Sequence, residues 1–326
     1  MAKLNMVQAI NLALRQEMER DEGVLVLGED VGRDGGVFRV TDGLLDRFGP
    51  ERVIDTPLAE SAIIGTSIGM AIGGLRPVAE MQFSGFSYLM LPQLEGNAAR
   101  LRSRTQGRIT VPLVVRMPYG GGVRALEHHS ESRETLYAHL PGCKVVIPSG
   151  PRNARALLVS AIRDPDPVVF MEPKRSYRAF REEVPDEEET LPLGKAQLVQ
   201  QGDDLTVVTW GAMMRPTLQA VEELQKQRGV GVELIDLLSI APMDGETIVE
   251  SVKKTGRCVV VQEAPRTLGP ASEIIARIND RALLYLEAPV QRVTQPDVVT
   301  PYFARELLYM PTQARIGRAM EQALDF

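Results

Sequence analysis

A single carboxylate, Glu60, stands directly ahead of an apolar run in which glycine recurs at every fourth residue. The stretch from Asp55 to Gly74 reads DTPLAESAIIGTSIGMAIGG. A polar turn, Asp55-Thr56-Pro57, leads through Leu58 and Ala59 to Glu60, and Gly65, Gly69 and Gly73 then share one face of a predicted helix. Each glycine in a helix costs roughly 1 kcal/mol relative to alanine. Close approach of another helix backbone is expected to offset that cost. A carboxylate at the start of such a helix, directed into apolar surroundings, has a raised pKa unless it is paired. It can share a proton with a ligand nitrogen, so the segment reads as half of a cofactor site at a helix–helix interface. The plainer alternative is an acidic residue in a first turn that does no more than complement the helix dipole. The apolar run from Ala62 to Leu75 is too short to cross a bilayer.

Two further groups carry possible chemistry. His128-His129-Ser130 follows a glycine-rich stretch, PYGGGVR (118–124), and the chain has only three histidines. Neighbours on a loop do not easily share one metal, and no third ligand stands at a zinc-like spacing. Such a histidine is either solvated or lines the crevice where α/β folds bind ligands. In QFSGF (82–86), Phe83 and Phe86 fall at the end of a predicted strand. They suit a core, or a ring stacked on a planar heterocycle. There is no GxGxxG after a strand and no GxxxxGK[ST], and the GDD at 202–204 lacks a suitably placed Asn. The phosphate end of any cofactor is therefore expected to be held elsewhere.

These groups need a scaffold, and the hydrophobic pattern supplies one. Asn5 with Gln8 forms a capping-box pattern ahead of Ile10, Leu14 and Met18. Short apolar runs at 24–30, 53–55, 77–83, 110–117, 144–148 and 167–173 alternate with helical stretches, including 87–104 and 151–163. That rhythm predicts a buried, mostly parallel sheet. An acidic stretch with two prolines, EEVPDEEETLPLGK (182–195), reads as a linker or exposed crossover. The α/β rhythm then resumes, with strands at 204–211, 230–237 and 257–264 and helices at 214–227, 245–256, 272–281 and from about Thr312. The expected fold class is α/β, with two doubly wound, mostly parallel-sheet domains at 1–185 and 201–326 joined by a linker at 186–200. Length, 326 residues, suits two such cores. The net charge of −6 argues against nucleic acid. No signal peptide or membrane span is read, and Cys143 and Cys258 form no CxxC pair, so a cytoplasmic protein is expected.

Read together, the motifs resemble a family. VLGEDVG (26–32), GGVF (35–38), DTPLAES (55–61), GLRPVAEMQF (74–83), HS (129–130), PGCKVVIPS (141–149), SAIRDPDPVVFMEP (160–173), KTGRCVVVQEA (254–264) and LEAPVQRV (286–293) occur in order over the whole chain. This is similar to the β chain of the thiamine-diphosphate-dependent first component of 2-oxo acid dehydrogenase complexes, a transketolase-like group. The resemblance implies a pyrimidine-binding domain followed by a transketolase C-terminal-like domain. It implies an α2β2 heterotetramer in which the α subunit holds magnesium and the diphosphate while this chain supplies the aminopyrimidine pocket. The substrate is then a small 2-oxo acid, whose acyl group passes to the lipoyl group of a core acyltransferase. By the same comparison Glu60 hydrogen-bonds a pyrimidine nitrogen and favours the imino tautomer. Phe86 stacks on the ring, and Gln82 and Leu58 border the cofactor. His129 faces the intermediate and the incoming lipoyl group, although the extra His128 leaves two imidazoles to choose from. Leu113, Ala161, Ile162, Asp164 and Asp166 match the family's potassium positions. QFSGF is nearer to the pyruvate pattern, whereas GGVR and EPK occur in branched-chain relatives. Pyruvate is favoured narrowly over branched-chain acids and acetoin.

Overall fold

The computed structural model describes residues 1–302 and 304–326. It divides into two compact units, 1–119 with 136–193, and 120–135 with 194–326. The segment carrying His128 and His129 therefore groups with the C-terminal unit.

In the first unit, strand β1 (Ala2–Leu4) leads into helix α1 (Met6–Arg20). The capping box forms as its residues suggest: Asn5 Oδ1 accepts from the Gln8 N–H at 3.0 Å, and Gln8 Oε1 accepts from the Asn5 N–H at 3.1 Å. Strands β2 (Val24–Gly28), β3 (Val53–Asp55), β4 (Arg76–Glu80), β5 (Val114–Tyr119), β6 (Lys144–Val146) and β7 (Val168–Pro173) then alternate with helices. They lie side by side in the order β6-β7-β5-β4-β2-β3, and every pairing among them is parallel. Most residues of its central strands are buried whichever face they point to, so apolar residues run consecutively along them rather than alternating, with Glu80, Arg116 and Glu172 as buried charged exceptions. Helix α2 (Glu60–Ile72) follows β3, and helix α3 (Pro151–Arg163) packs against α1.

The helical run expected at 87–104 is broken. A short helix at Leu91–Gln93 opens on Pro92, a π-helical segment at Leu94–Ala98 contains Gly96, and a regular helix resumes at Ala99–Arg104. Pro92 and Gly96 withhold the regular ladder there. The acidic stretch differs too. Glu182–Val184 forms strand β8, antiparallel to β1, and the glutamates after it meet arginines of α3. The Arg152 Nη2–Glu189 Oε1 distance is 2.7 Å, and Arg163 reaches Glu188 while also holding Glu17 on α1 at 2.6 Å. A run that looks like solvated linker by composition is a strap over the arginines of one helix.

One buried ion cluster ties three strands together. Arg116 on β5 gives Nη1–H to Glu80 of β4 at 2.6 Å and Nε–H and Nη2–H to Glu172 of β7 at 2.7 and 3.0 Å. The Tyr177 hydroxyl donates to Glu172 at 2.5 Å. Arg116 is 1% exposed and Glu172 0%. The facing carboxylates hold the guanidinium protonated against its burial, while burial, outweighing Arg116, pushes Glu80 up.

In the second unit, β9 (Gln197–Gln200), β10 (Leu205–Thr209), β11 (Val232–Asp236), β12 (Cys258–Pro265) and β13 (Gln291–Gln295) form a sheet of five strands in the order β13-β12-β10-β11-β9. Only β9 runs antiparallel. Helix α4 (Met214–Arg228) and the C-terminal helix, Gln313–Leu324, pack together over one side, and α5 (Gly245–Thr255) packs with α6 (Pro270–Ala282). The helix ends match their residues: Thr312 caps the last helix through its side chain, and Gly256 closes α5 in the left-handed conformation at φ 68°. Inside this unit the chain's one tryptophan, Trp210, gives its indole N–H to Glu134 at 3.3 Å. Glu134 is 0% exposed. Burial, with a contribution from the Glu263 charge, pushes its carboxyl up from 4.5 to about 7.

Two outcomes follow from these buried charges. Arg116→Met leaves Glu80 and Glu172 buried without their cation and is expected to cost about 3–5 kcal/mol in urea unfolding; a loss under about 1 kcal/mol contradicts the cluster's role. Glu134 binds its proton more tightly folded than unfolded, so its contribution is complete below about 4.5 and is lost as pH rises to about 7. Glu134→Gln is therefore expected to flatten that decline, on the order of 3 kcal/mol, in unfolding curves followed by Trp210 fluorescence between pH 5 and pH 8 (roughly the range the shift spans). An unchanged pH dependence contradicts it.

Candidate functional site

Parallel strands all end on the same edge, and ligands of open α/β sheets bind outside those carboxyl ends. In the first unit Gly28 of β2 lies in register with Asp55 of β3 on one side and Glu80 of β4 on the other. The strands come so close here that a Cβ on Gly28 would stand 2.8 Å from the Glu80 carbonyl oxygen. Beyond β2 the chain turns back. The Asp55 carboxylate accepts the N–H groups of Gly32 at 2.5 Å and Arg33 at 3.1 Å, and the Thr56 N–H returns to the Gly28 carbonyl at 2.9 Å. The turn DTP is thus pinned to the loop that follows β2, and the chain leaves it directly into α2.

Glu60 is the first residue of α2 and is 5% exposed. Its Oε2 has no hydrogen-bond partner among the described residues. A buried carboxylate oxygen left so is costly unless a ligand completes it. Beside it lies Glu29, from the GED that ends the β2 segment, 7% exposed. Burial first, then the charge of Glu60 and that of Asp30, push the Glu29 carboxyl up. Asp30 in turn accepts from the Gln82 amide at 2.9 Å. Two neighbouring carboxyls and an amide anchored to a third acid make a surface suited to a ligand with adjoining donor and acceptor nitrogens.

Gln82 and Phe86 come from the extension of β4. The Met81 N–H bonds the Arg116 carbonyl at 2.9 Å, which carries the buried ion cluster's order into this segment. Phe86 meets Phe83 edge-on, with ring centroids 5.5 Å apart at 74°, and Phe83 meets Phe38 in the same way. The Lys174 ammonium stands 5.4 Å from the Phe83 ring centroid. Leu58, two residues before the buried Glu60, is 78% exposed. The glycine stripe of α2 departs from expectation within this chain: a Cβ at Gly65 would meet only the Gln93 side chain at 3.8 Å, and nothing stands within 4 Å at Gly69.

His129 belongs to the second unit. It ends a 3-10 turn, Glu127–His129, with its N–H bonded to the Leu126 carbonyl at 3.0 Å. His128 has a 54% exposed side chain with Nδ1 3.4 Å from Glu127, whereas His129 is half-buried.

Leu113, Ala161, Ile162, Asp164 and Asp166 all lie in the first unit. The Leu113 carbonyl accepts from the Val168 N–H at 2.9 Å, that of Ala161 from the Asp164 N–H at 3.3 Å and that of Ile162 from Arg76 at 3.0 Å. Asp164 takes the Lys144 ammonium at 2.6 and 2.7 Å, and Asp166 takes Arg102 at 2.6 Å. Both carboxylates are thus balanced by cations of the chain itself. What remains for a monovalent ion is the second lone pair of each backbone carbonyl. Among the described residues no group of three or more His, Cys, Asp or Glu could hold a metal ion.

Sequence reasoning overlooked Glu29 and Asp30 as members of the site. The available signal was their place, two acids at the carboxyl end of the first strand of a parallel sheet, where ligands bind.

Comparison with known proteins identifies the two domains. Residues 2–179 match the transketolase pyrimidine-binding domain, and residues 194–316 match the transketolase C-terminal domain. The pyruvate dehydrogenase E1 component subunit beta of Acholeplasma laidlawii is 52% identical over 317 residues, 97% of either chain. That of Bacillus subtilis is 51% identical over 326 residues, 100% of either chain, and that of Staphylococcus aureus 48% over the same span. A split-gene transketolase, described as an inactive β4 tetramer, shares the fold with a TM-score of 0.76 at 22% identity, covering 99% of both chains. The chain therefore belongs to the family of pyruvate dehydrogenase E1 β subunits, built from the pyrimidine-binding and C-terminal domains of transketolase.

Proposed function

We propose that this chain is the β subunit of an α2β2 pyruvate dehydrogenase E1 component that uses thiamine diphosphate to decarboxylate pyruvate and pass the acyl group to lipoyl. The observation that carries the reading is the buried, unpartnered Oε2 of Glu60 at the head of α2. Its chemistry fits a ring nitrogen of an aminopyrimidine, which forms the missing hydrogen bond when one proton lies between the nitrogen and the oxygen. Thiamine diphosphate, when bound, supplies the electron sink for the pair left as carbon dioxide departs.

The chain's own residues would hold and tune that group. Glu60 shares a proton with the ring nitrogen, and Glu29 lies beside it, its carboxyl pushed up by burial and by the Glu60 charge. Gln82, held by Asp30, flanks the ring, Phe86 stacks on it, and Leu58 borders it from the exposed side. We assign His129, rather than the exposed His128, to the intermediate and the lipoyl group.

The α partner and magnesium follow from what this chain lacks and leaves open. It carries no phosphate-binding motif, and magnesium with the diphosphate belongs to the partner on this reading. The open face of α2 at Gly69 and the exposed Leu58 suit cover by a second polypeptide. Potassium, held by backbone oxygens at Leu113, Ala161, Ile162, Asp164 and Asp166, is part of the proposal. The net charge of −6 suits a basic docking segment on the lipoyl-bearing core acyltransferase. Two buried, free cysteines accord with the cytoplasm. Pyruvate stands ahead of branched-chain acids and acetoin because the relatives about half identical over the full length carry the pyruvate name.

In the reconstituted α2β2 enzyme with magnesium and thiamine diphosphate, carbon dioxide release from pyruvate is expected to exceed that from 3-methyl-2-oxobutanoate and to require both chains. Glu60→Gln is expected to lower it by at least about 100-fold with assembly intact. Near-normal turnover in that variant removes Glu60 from the chemistry, and preference for the branched acid removes pyruvate.

A further inference from the structure

The glycine-rich stretch ahead of the histidines is a loop fastened from outside by two carboxylates. Glu263, on β12, accepts the Gly121 N–H at 2.6 Å and the Ser132 hydroxyl at 3.0 Å through the same oxygen. Residues 121 and 132 stand on the two legs of the loop, so one atom closes it around His128 and His129. The legs also bond directly, Gly120 N–H to the Glu131 carbonyl at 3.0 Å. Glu306, on helix α7 (Glu306–Tyr309), uses both oxygens, taking the Gly122 N–H at 2.7 Å and the Arg124 N–H at 2.5 Å. Glu306 is 0% exposed and Glu263 2%.

The backbone has adapted to these anions. Gly120 and Gly122 sit at φ 85° and 84°, and Arg124, with a full side chain, is held at φ 58°. A Cβ at Gly120 would stand 2.6 Å from a Glu263 oxygen. One at Gly121 would stand 3.0 Å from a Glu306 oxygen and 3.2 Å from the Met310 sulfur. The glycines are there because carboxylates come this close, and charge-assisted bonds to N–H groups are the strong kind.

Resting on the assignment of His129 above, we infer that Glu263 and Glu306 are positioning residues: they fix the loop that presents His129, and so set acyl transfer without touching the reacting atoms. Gln in place of Glu306 keeps one acceptor and turns an N–H against the other amide, so one leg loses its anchor.

The test is a double-mutant cycle in the α2β2 enzyme, with pyruvate and a free lipoyl domain, reading the rate of acyl transfer. Glu306→Gln is expected to lower it by about tenfold, and His129→Ala by at least as much. On the His129→Ala background, Glu306→Gln is expected to add less than a twofold loss. A purely structural role would lower the rate by the same factor in both backgrounds, which overturns the inference while leaving His129 in place. Should His129→Ala alone leave transfer unchanged, the assignment of His129 falls and the inference with it. Gly121→Ala, which leaves both carboxylates intact but drives a methyl against Glu306, carries the same cycle if Glu306→Gln does not assemble. It is expected to behave alike, and an unaltered rate in it overturns the clamp.

Discussion

A carboxylate oxygen taken out of water needs an answering partner, and Glu60 Oε2 has none among the described residues. Much of the first unit serves to keep it in that state. The Asp55 carboxylate pins the turn ahead of it, the close pairing of β2 with β4 at Gly28 brings Glu29 beside it, and the start of α2 places it where a helix dipole favours an anion. A site arranged this way is incomplete alone. It is preorganised for a partner group with a nitrogen to offer, which a protein building half of a shared site needs.

The buried Arg116 cluster serves the same end by different means. A buried ion pair seldom adds stability over apolar packing, because desolvation takes back most of the attraction. Its value here is direction. Arg116 joins β4, β5 and β7 near their carboxyl ends, and the next backbone bond, Met81 to the Arg116 carbonyl, starts the segment that carries Gln82 and Phe86. In the second unit, carboxylates again do the orienting, with Glu263 and Glu306 gripping main-chain N–H groups rather than a guanidinium.

The scaffold was legible wherever local chemistry and tertiary context agree. The capping box at Asn5 and Gln8, the helix Pro151–Arg163, the Gly256 cap and the alternation of strands and helices follow from short-range rules, and the structure has them. Reading failed where a distant partner decides. Glu188 and Glu189 look like linker until arginines of a helix some 25–37 positions earlier in the chain meet them. The break at Pro92 and Gly96 was outweighed in the sequence by helical spacing on either side. The placing of the histidine loop with the C-terminal unit depends on Glu263 and Glu306, which stand 142 and 184 positions from the glycines they hold. Of the proposed site, Glu60, Gln82 and Phe86 come from the family motifs, and Gln82 is anchored by Asp30. Glu29 and Asp30 were passed over because an acidic pair after a strand also suits an ordinary turn. The glycine stripe is plain in the sequence, but among the described residues no helix backbone comes within 4 Å of a Cβ at Gly65 or Gly69.

The most direct test of the account is the affinity of the assembled α2β2 enzyme for thiamine diphosphate against an analogue whose pyrimidine nitrogen facing Glu60 is replaced by C–H. The exchange alters one atom and leaves the diphosphate and ring area untouched. If the Glu60 oxygen is completed by that nitrogen, the analogue leaves it buried and unanswered, and binding weakens by about tenfold or more, roughly 1.4 kcal/mol. Equal affinity for the two would mean that the buried oxygen is not what receives the cofactor, and the account of the site would be wrong.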